Sequence, residues 1–403
     1  MLKGLRLAMI AAALVATSSG CASHHDVGEA PSPAATSPAA TITAASSAAA
    51  PDRPSPAPAA SPSCTPAAVL STWSLARRAA QLVVVPAEED DVLAVQSLVA
   101  VGVGGIILFG SYAPSTLPAD LAALRRAAPD GVPPVVMTDE EGGEVQRMAN
   151  LVGTMPWPRT MAATMSVAQV RALAEQVGRR MRAAGVTMDL APVLDLSDSS
   201  GPDAAHPDGP RSFSVHAPIA TAYGLAFAAG LLQAGVIPVV KHFPGLGQAS
   251  YNTDFGPASV PPLSVLEAGS LRPFQAAIAA GVPAIMVGNA SIPGVTGGLP
   301  ASLSESAVTG LLRHRLGFRG LILTDSLSAL AVQDAGYAVP QAAARAIEAG
   351  ADLVLFNTAD PAATVNAIIA SITTAVTSGR MAVTQLDDAV EDVLSAKGVS
   401  LCS

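Results

Sequence analysis

Beyond residue 80 the chain alternates between two kinds of segment. Short apolar runs occur at Gln81–Val85, Gly104–Phe109, Pro134–Thr138, Thr187–Val193, Ile237–His242, Ala284–Gly288, Gly320–Thr324 and Ala351–Phe356. Several are rich in Val and Ile and lack every-other-residue alternation, the pattern of strands covered on both faces of a parallel sheet. Between them lie longer stretches with helical spacing, such as Val167–Ala184, Ala217–Ala234, Leu263–Ala280, Glu305–Leu316 and Pro340–Ala349. Gly185, Gly235, Gly281, Gly317 and Gly350 follow them, as expected just past a helix C-terminus. Eight strand–helix repeats predict an α/β fold, a (β/α)8 barrel of the TIM type, forming one domain over 64–403. An open doubly wound sheet is the rival, but no G-x-G-x-x-G loop follows the first run.

The segment before residue 64 has no such pattern. Lys3 and Arg6 precede a short apolar stretch, Leu7 to Ala16, and Ser18-Ser19-Gly20-Cys21 comes next. A basic start, a short apolar run and small residues before a Cys predict a lipoprotein signal peptide over 1–21, lipidated on Cys21. The chain is then expected to be exported and lipid-anchored at the outer face of the cytoplasmic membrane or in the cell envelope. Ser18 stands where Leu is usual, and a plain cleaved signal peptide with an incidental Cys is the alternative. Residues 22–63 are nearly all Ala, Pro, Ser and Thr. They bury too little apolar surface to offset their ordering entropy, which predicts a disordered tether.

Export changes how the cysteines are read. In an oxidising compartment Cys64 and Cys402, one at each end of the folded body, are candidates for a disulfide, with two buried free thiols as the alternative. Half of the chain is hydrophobic and 13% is charged, which is ample for a large core. No run of about 20 apolar residues follows the N-terminus, so no spanning helix is expected within the body. A net charge of −9 argues against a nucleic-acid partner. Aromatics make up only 3%, which favours a small hydrogen-bonding pocket over a long aromatic-paved cleft. No Cys/His cluster has metal-ligand spacing and no Walker-type loop occurs, so neither a metal nor a cofactor is expected, and a monomer is. His206, His216 and His314 read as isolated structural or surface residues.

The polar residues at the ends of the apolar runs change the picture. Asp139, Asp195, Lys241-His242, Asn289 and Asp325 follow five successive runs, the rim where barrels of this type carry their chemistry. Singly, each reads as easily as a satisfied strand-end residue. Together they point to a site. With them come ordered segments: Val103 to Phe109, Asp139-Glu140-Glu141-Gly142-Gly143, Val145-Gln146-Arg147, Ala191 to Asp195, Arg211-Ser212-Phe213, Lys241-His242-Phe243-Pro244-Gly245 and Thr324 to Ser328. These resemble glycoside hydrolase family 3, and within it the single-domain bacterial β-N-acetylglucosaminidases (β-hexosaminidases). The resemblance covers about 65 to 400. It implies a retaining hydrolase that removes terminal β-linked N-acetylglucosamine from cell-wall-type glycans through a covalent glycosyl-Asp. It matches Asp325 to the nucleophile and Asp139, Arg147, Arg211, Lys241 and His242 to the sugar-holding positions. For Asp325 a helix N-cap is the bland alternative, since Ser326 to Ser328 read as a possible helix start. For Arg147 and Arg211 the bland alternative is a surface salt bridge. The two-domain β-glucosidases of the family complete their site with a second domain, and none is expected here after the eighth repeat.

One segment departs from the family. Its branch usually follows K-H-F-P-G with a His–Asp dyad that serves as acid/base; here Asn252 stands in place of the Asp and Asp254 in place of the His. Glu144 also replaces the Arg common after the double glycine. Three readings follow: Asp254 is itself the general acid/base; another residue such as Glu141 or Glu144 takes that role; or the protein is a weak or inactive sugar-binding lipoprotein. An in-register exchange that keeps an ionisable group favours activity. An ionised Asp254 would repel an incoming anion such as phosphate, so hydrolysis is expected to outrun phosphorolysis.

Overall fold

The computed structural model describes residues 64–402. The expected leader 1–21 with Cys21 and the tether 22–63 lie outside the described residues. Eight strands follow one another around a ring: β1 Val84–Glu88, β2 Gly105–Phe109, β3 Val135–Thr138, β4 Met188–Asp189, β5 Ile237–Phe243, β6 Ala284–Val287, β7 Leu321–Ser326 and β8 Leu353–Leu355. Every neighbouring pair is parallel. The ring closes where Val83 pairs with Val354, whose N–H donates to the Leu82 carbonyl at 2.9 Å. All residues of β3, β6 and β8 are buried, which is why these runs show no alternation: one face fills the barrel and the other meets the helices.

The expected elements occur with four differences of physical interest. The first strand begins at Val84 rather than Gln81, because Gln81 caps the helix Leu75–Ala80. Its buried side chain donates to the Gly102 carbonyl at 2.6 Å and accepts from Lys397 Nζ at 2.7 Å. The fourth run shortens to two strand residues because Pro192 has no N–H to donate, although Val193 still bridges Lys241. The stretch 263–280 divides at Gly269 into helices Leu263–Ala268 and Leu271–Ala279. The stretch expected at Glu305–Leu316 winds as a π-helix, Ser306–Arg315. By contrast Val167–Ala184 matches its expected limits, with a Ser166–Gln169 capping box at its start and Gly185 in the left-handed region at its end.

Cys64 and Cys402 are joined by a disulfide with a Cα–Cα distance of 5.6 Å. No helix among the described residues is long and apolar enough to cross a membrane.

Candidate active site

The site is assembled at the C-terminal ends of the strands by three connections. After β3 the chain turns into an antiparallel hairpin, Glu140–Gly142 with Val145–Gln146. The two glycines of the Asp-Glu-Glu-Gly-Gly run are there for space. A Cβ on Gly142 would lie 2.3 Å from the Pro156 carbonyl oxygen, and one on Gly143 would lie 2.0 Å from the Trp157 ring. The long stretch after β4 delivers Asp195, Asp208 and Arg211, and the loop after β5 delivers Asn252 and Asp254.

These elements converge on a cavity of about 180 Å³ lined by Asp139, Arg211, Lys241, His242, Asp254 and Asp325, with apolar walls that include Phe109, Leu190 and Phe356. Pockets for drug-sized ligands run to roughly 300–1,000 Å³, so this one suits a single small polar residue rather than an extended polymer. A larger hollow of about 660 Å³ opens at the opposite end of the barrel. There Arg313 donates to the Asp352 and Asp392 carboxylates. Its charges largely satisfy one another, and it lies away from the face where such barrels carry chemistry.

Four charged groups form the floor. Glu141 is fully buried and accepts from Arg211 Nε and Nη2 at 2.8 Å each, while Lys241 Nζ lies 2.7 Å from its Oε1. Lys241 also donates to Asp139 Oδ1 at 2.7 Å. Burial alone would raise the Glu141 pKa, but Arg211 and Lys241 outweigh it and hold the carboxyl well below the usual range. Burial likewise disfavours the Lys241 ammonium, and the charges of Asp139 and Glu141 reverse the sign. Both cations therefore stay charged with their partners fixed.

Arg147 is placed differently from the other expected sugar-holding residues. Its Nη2 is 3.8 Å from Asp139 Oδ2 and its guanidinium sits 5.9 Å from the Phe109 ring centre, beside two residues that line the cavity. Arg211, by contrast, is no surface salt bridge but part of the cavity wall.

His242 is buried, and that burial, reinforced by the nearby charge of Arg211, lowers its pKa to about 4. The ring is neutral at pH 7. Its Nδ1 is 2.6 Å from Asp195 Oδ2, so the proton sits on Nδ1 and the Nε2 lone pair faces Arg211 Nη2 at 3.4 Å. The peptide bond between Lys241 and His242 is cis.

Asp325 lies at the end of β7, half-buried, and accepts one hydrogen bond, from the Ser326 N–H at 2.7 Å. The helix that follows starts only at Leu330 with Ala329 as its cap, so the N-cap alternative for Asp325 fails. Asp254 is exposed at the cavity mouth on a pinned loop. Its N–H donates to Asn252 Oδ1 at 3.0 Å, Asn252 Nδ2 donates to the Asp203 carbonyl at 3.1 Å, and the Thr253 carbonyl accepts from the Ala331 N–H at 3.0 Å. Asn252 thus shapes the turn rather than polarising the residue at 254. Desolvation raises the pKa of both carboxyls; at Asp325 the charge of Asp254 adds to it and the Ser326 N–H opposes it.

Of the two acids set against Asp254 for the acid/base role, Glu141 is clamped as an ion between two cations and Glu144 is exposed outside the cavity lining. Glu141 as a clamp, Asp195 as the partner of His242, and Asp208 were not legible in the sequence. Asp195 carried a signal in its place at a strand end and Glu141 in its motif; Asp208 carried none.

The description "Glycosyl hydrolase family 3 N terminal domain" fits residues 74–396. The chain belongs to this family. It is a glycoside hydrolase. Among its family relatives, beta-hexosaminidase LpqI of Mycobacterium tuberculosis is 37% identical over 343 residues, covering 83% of this chain and 86% of LpqI. The solved structure of M. tuberculosis LpqI matches with a TM-score of 0.75 at 36% identity, over 84% of this chain and 98% of that one. A family 3 β-N-acetylglucosaminidase from Paenibacillus sp. FPU-7 matches with a TM-score of 0.74 at 32% identity, over 81% of this chain and 62% of that one.

Proposed function

We propose that this family 3 hydrolase is a β-N-acetylhexosaminidase that removes terminal β-linked N-acetylglucosamine with retention, Asp325 being the nucleophile and Asp254 the general acid/base. The observation that carries the reading is the presence of both carboxyls on one sugar-sized cavity whose polar wall also includes Asp139, Arg211, Lys241 and His242. The names of the relatives support the choice of sugar.

Two carboxyls that repel across one cavity hold a proton more tightly than either would alone. The Ser326 N–H stabilises negative charge on Asp325, which leaves the proton on Asp254. That is the division of labour a retaining glycosidase needs: an ionised nucleophile attacks C1 while a protonated acid delivers its proton to the leaving oxygen. Asp254, now ionised, then draws a proton from the water that releases the glycosyl-Asp. Asp139, Lys241 and Arg211 hold the sugar hydroxyls, and a site built on such fixed partners rejects sugars that lack them.

The basic start, short apolar run and Cys21 of the sequence support export and a lipid anchor outside the cytoplasmic membrane, and with them cell-wall glycan fragments as substrates of a monomeric enzyme. A second reading, a sugar-binding lipoprotein of little activity, is favoured by one observation, the loss of the family's His–Asp dyad at Asn252 and Asp254.

One assay separates them: turnover of a chromogenic β-N-acetylglucosaminide by wild type, Asp325→Ala and Asp254→Ala. Asp325→Ala is expected to lose about 1,000-fold or more. Asp254→Ala is expected to lose about 100-fold on substrates with poor leaving groups and little on activated aryl glycosides. Equal rates for wild type and Asp325→Ala would end the hydrolytic reading of this site.

A further inference from the structure

Behind His242 lies a second carboxyl that the mechanism above does not use. Asp208 is completely buried, and neither of its oxygens accepts a hydrogen bond from any N–H or hydroxyl among the described residues. The nearest cation, Arg211 Nη1, stands 3.9 Å away and donates instead to the Pro207 carbonyl at 3.1 Å. What Asp208 does face is another buried carboxyl, that of Asp195, with an oxygen of each within 4.8 Å of the other. Asp195, Asp208 and His242 each bring one polar atom within 4.8 Å of the other two.

The two carboxyls are not equivalent. Asp195 collects three donors: the Leu246 N–H at 2.7 Å, the His242 N–H at 3.1 Å and His242 Nδ1 at 2.6 Å. Asp208 collects none. Two buried carboxyls this close cannot both ionise without a large cost, so one proton lies between them. The donors decide where. Charge on Asp195 is stabilised by three N–H groups, whereas charge on Asp208 is stabilised by no hydrogen bond at all.

A metal ion is the other way to satisfy such a cluster. The 2.6 Å separation of His242 Nδ1 and Asp195 Oδ2 argues against it. Two ligands on one tetrahedral ion with bonds of about 2.1 Å stand roughly 3.4 Å apart. A hydrogen bond fits that distance and shared ligation does not.

We infer that Asp208 is a neutral carboxylic acid whose O–H donates to Asp195, and that it serves as a positioning residue for His242. The inference rests on the assignment of this cavity as the sugar site. The chain of bonds runs Asp208 O–H to Asp195 carboxylate, and His242 Nδ1–H to the same carboxylate, leaving Nε2 bare toward Arg211. If Asp195 held the proton, it would offer an O–H to Nδ1 and push the imidazole proton to Nε2, where it would meet the Arg211 N–H at 3.4 Å. A second donor on Asp195 prevents that. Burial, with the facing charge of Asp195, raises the Asp208 pKa to about 8, while Arg211 opposes the shift and Glu141 adds to it. Burial also raises that of Asp195, to about 7, but there the Leu246 and His242 N–H groups favour the charged form, so the proton the pair shares rests on Asp208. The neutral form therefore persists at pH 7.

The test compares Asp208→Asn, whose amide N–H mimics the protonated acid, with Asp208→Ala, which removes the donor. Asp208→Asn is expected to keep kcat/KM within ~3-fold of wild type, and Asp208→Ala to lose ~10-fold or more. Two readouts do not depend on turnover. In 15N NMR the His242 ring keeps its Nδ1–H, bare-Nε2 signature in wild type and Asp208→Asn. Raising the pH from 6 to 9 lowers the melting temperature of wild type more than that of Asp208→Asn, because only the wild type must keep a proton that the unfolded chain has given up. Asp208→Asn as impaired as Asp208→Ala would mean that the negative charge is needed, and would overturn the proposal. So would an Nε2–H tautomer in wild type, or parallel pH–melting curves for wild type and Asp208→Asn. An inactive wild type with the expected tautomer and pH response would instead count against the hydrolase assignment alone.

Discussion

The buried quartet under the cavity gives the most quantitative test. Glu141→Gln keeps the size of the side chain and removes one negative charge from a group that the protein has sealed: the Glu141 side chain is 0% exposed and that of Lys241 3%. Lys241 and Arg211 would then share the single charge of Asp139, in a place where water screens little. Breaking a buried pair by removing one partner costs about 3–5 kcal/mol, and the near-zero exposure means no discount for solvent applies. Unfolding entropy of about 2.1 cal/mol/K per residue amounts to roughly 0.7 kcal/mol per degree over residues 64–402, so Tm should fall by about 4–7 °C. Differential scanning calorimetry at pH 7 measures it. The Glu141 pKa is depressed on folding, so its stabilisation is complete above the unfolded value of 4.5 and is lost as pH falls through the lower folded value. The gap between wild type and Glu141→Gln should therefore be constant from pH 6 upward and narrow only in acid. Adding Lys241→Met to Glu141→Gln removes one stranded cation, and the pair should lose at least about 1 kcal/mol less than the sum of the single changes. A Glu141→Gln protein that melts within 1 °C of wild type at pH 7 would refute the claim that this network is a sealed electrostatic clamp.

Three further outcomes follow from the same structure. Gly247 packs so closely on the chain after β4 that a Cβ would lie 2.2 Å from the Leu196 carbonyl oxygen; Gly247→Ala should shift the loop carrying Asp254 and lower kcat/KM about 10- to 100-fold in steady-state assays, and a wild-type rate would contradict the close fit. Opening the Cys64–Cys402 disulfide, by reduction or by the double change to Ser, should cost about 2–5 kcal/mol and lower Tm by a few degrees; unchanged melting would show that the terminal segments are held without it. In phosphate buffer the products should be free sugar, because in the proposed mechanism Asp254 is ionised when the glycosyl-Asp is attacked and repels a competing anion; accumulation of sugar 1-phosphate by chromatography would contradict that electrostatic argument.

Much of the architecture was legible along the chain because its causes are local. Strands buried on both faces show as unbroken Val- and Ile-rich runs, and Val167–Ala184 carries its own capping box and glycine stop, so its limits could be read to the residue. Where reading failed, a partner distant in sequence had taken over. Gln81 looks like the start of a strand, yet it is held by Gly102 and by Lys397, 316 residues away. The Asp-Glu-Glu-Gly-Gly and Lys-His-Phe-Pro-Gly motifs marked the site, and their residues line or support it.

What a linear string does not contain is which charge meets which. Lys241 finds Asp139 across 102 positions, Arg211 finds Glu141 across 70, and His242 finds Asp195 across 47. Residue type and order determined a barrel, its rim and the two acids at that rim proposed to act on the sugar. Only the closed barrel decided that Glu141 is a structural ion, that Arg147 sits against Asp139 and Phe109 and that His242 is neutral. Those properties arise from burial and from the sum of nearby charges, and both exist only once distant segments have been packed together.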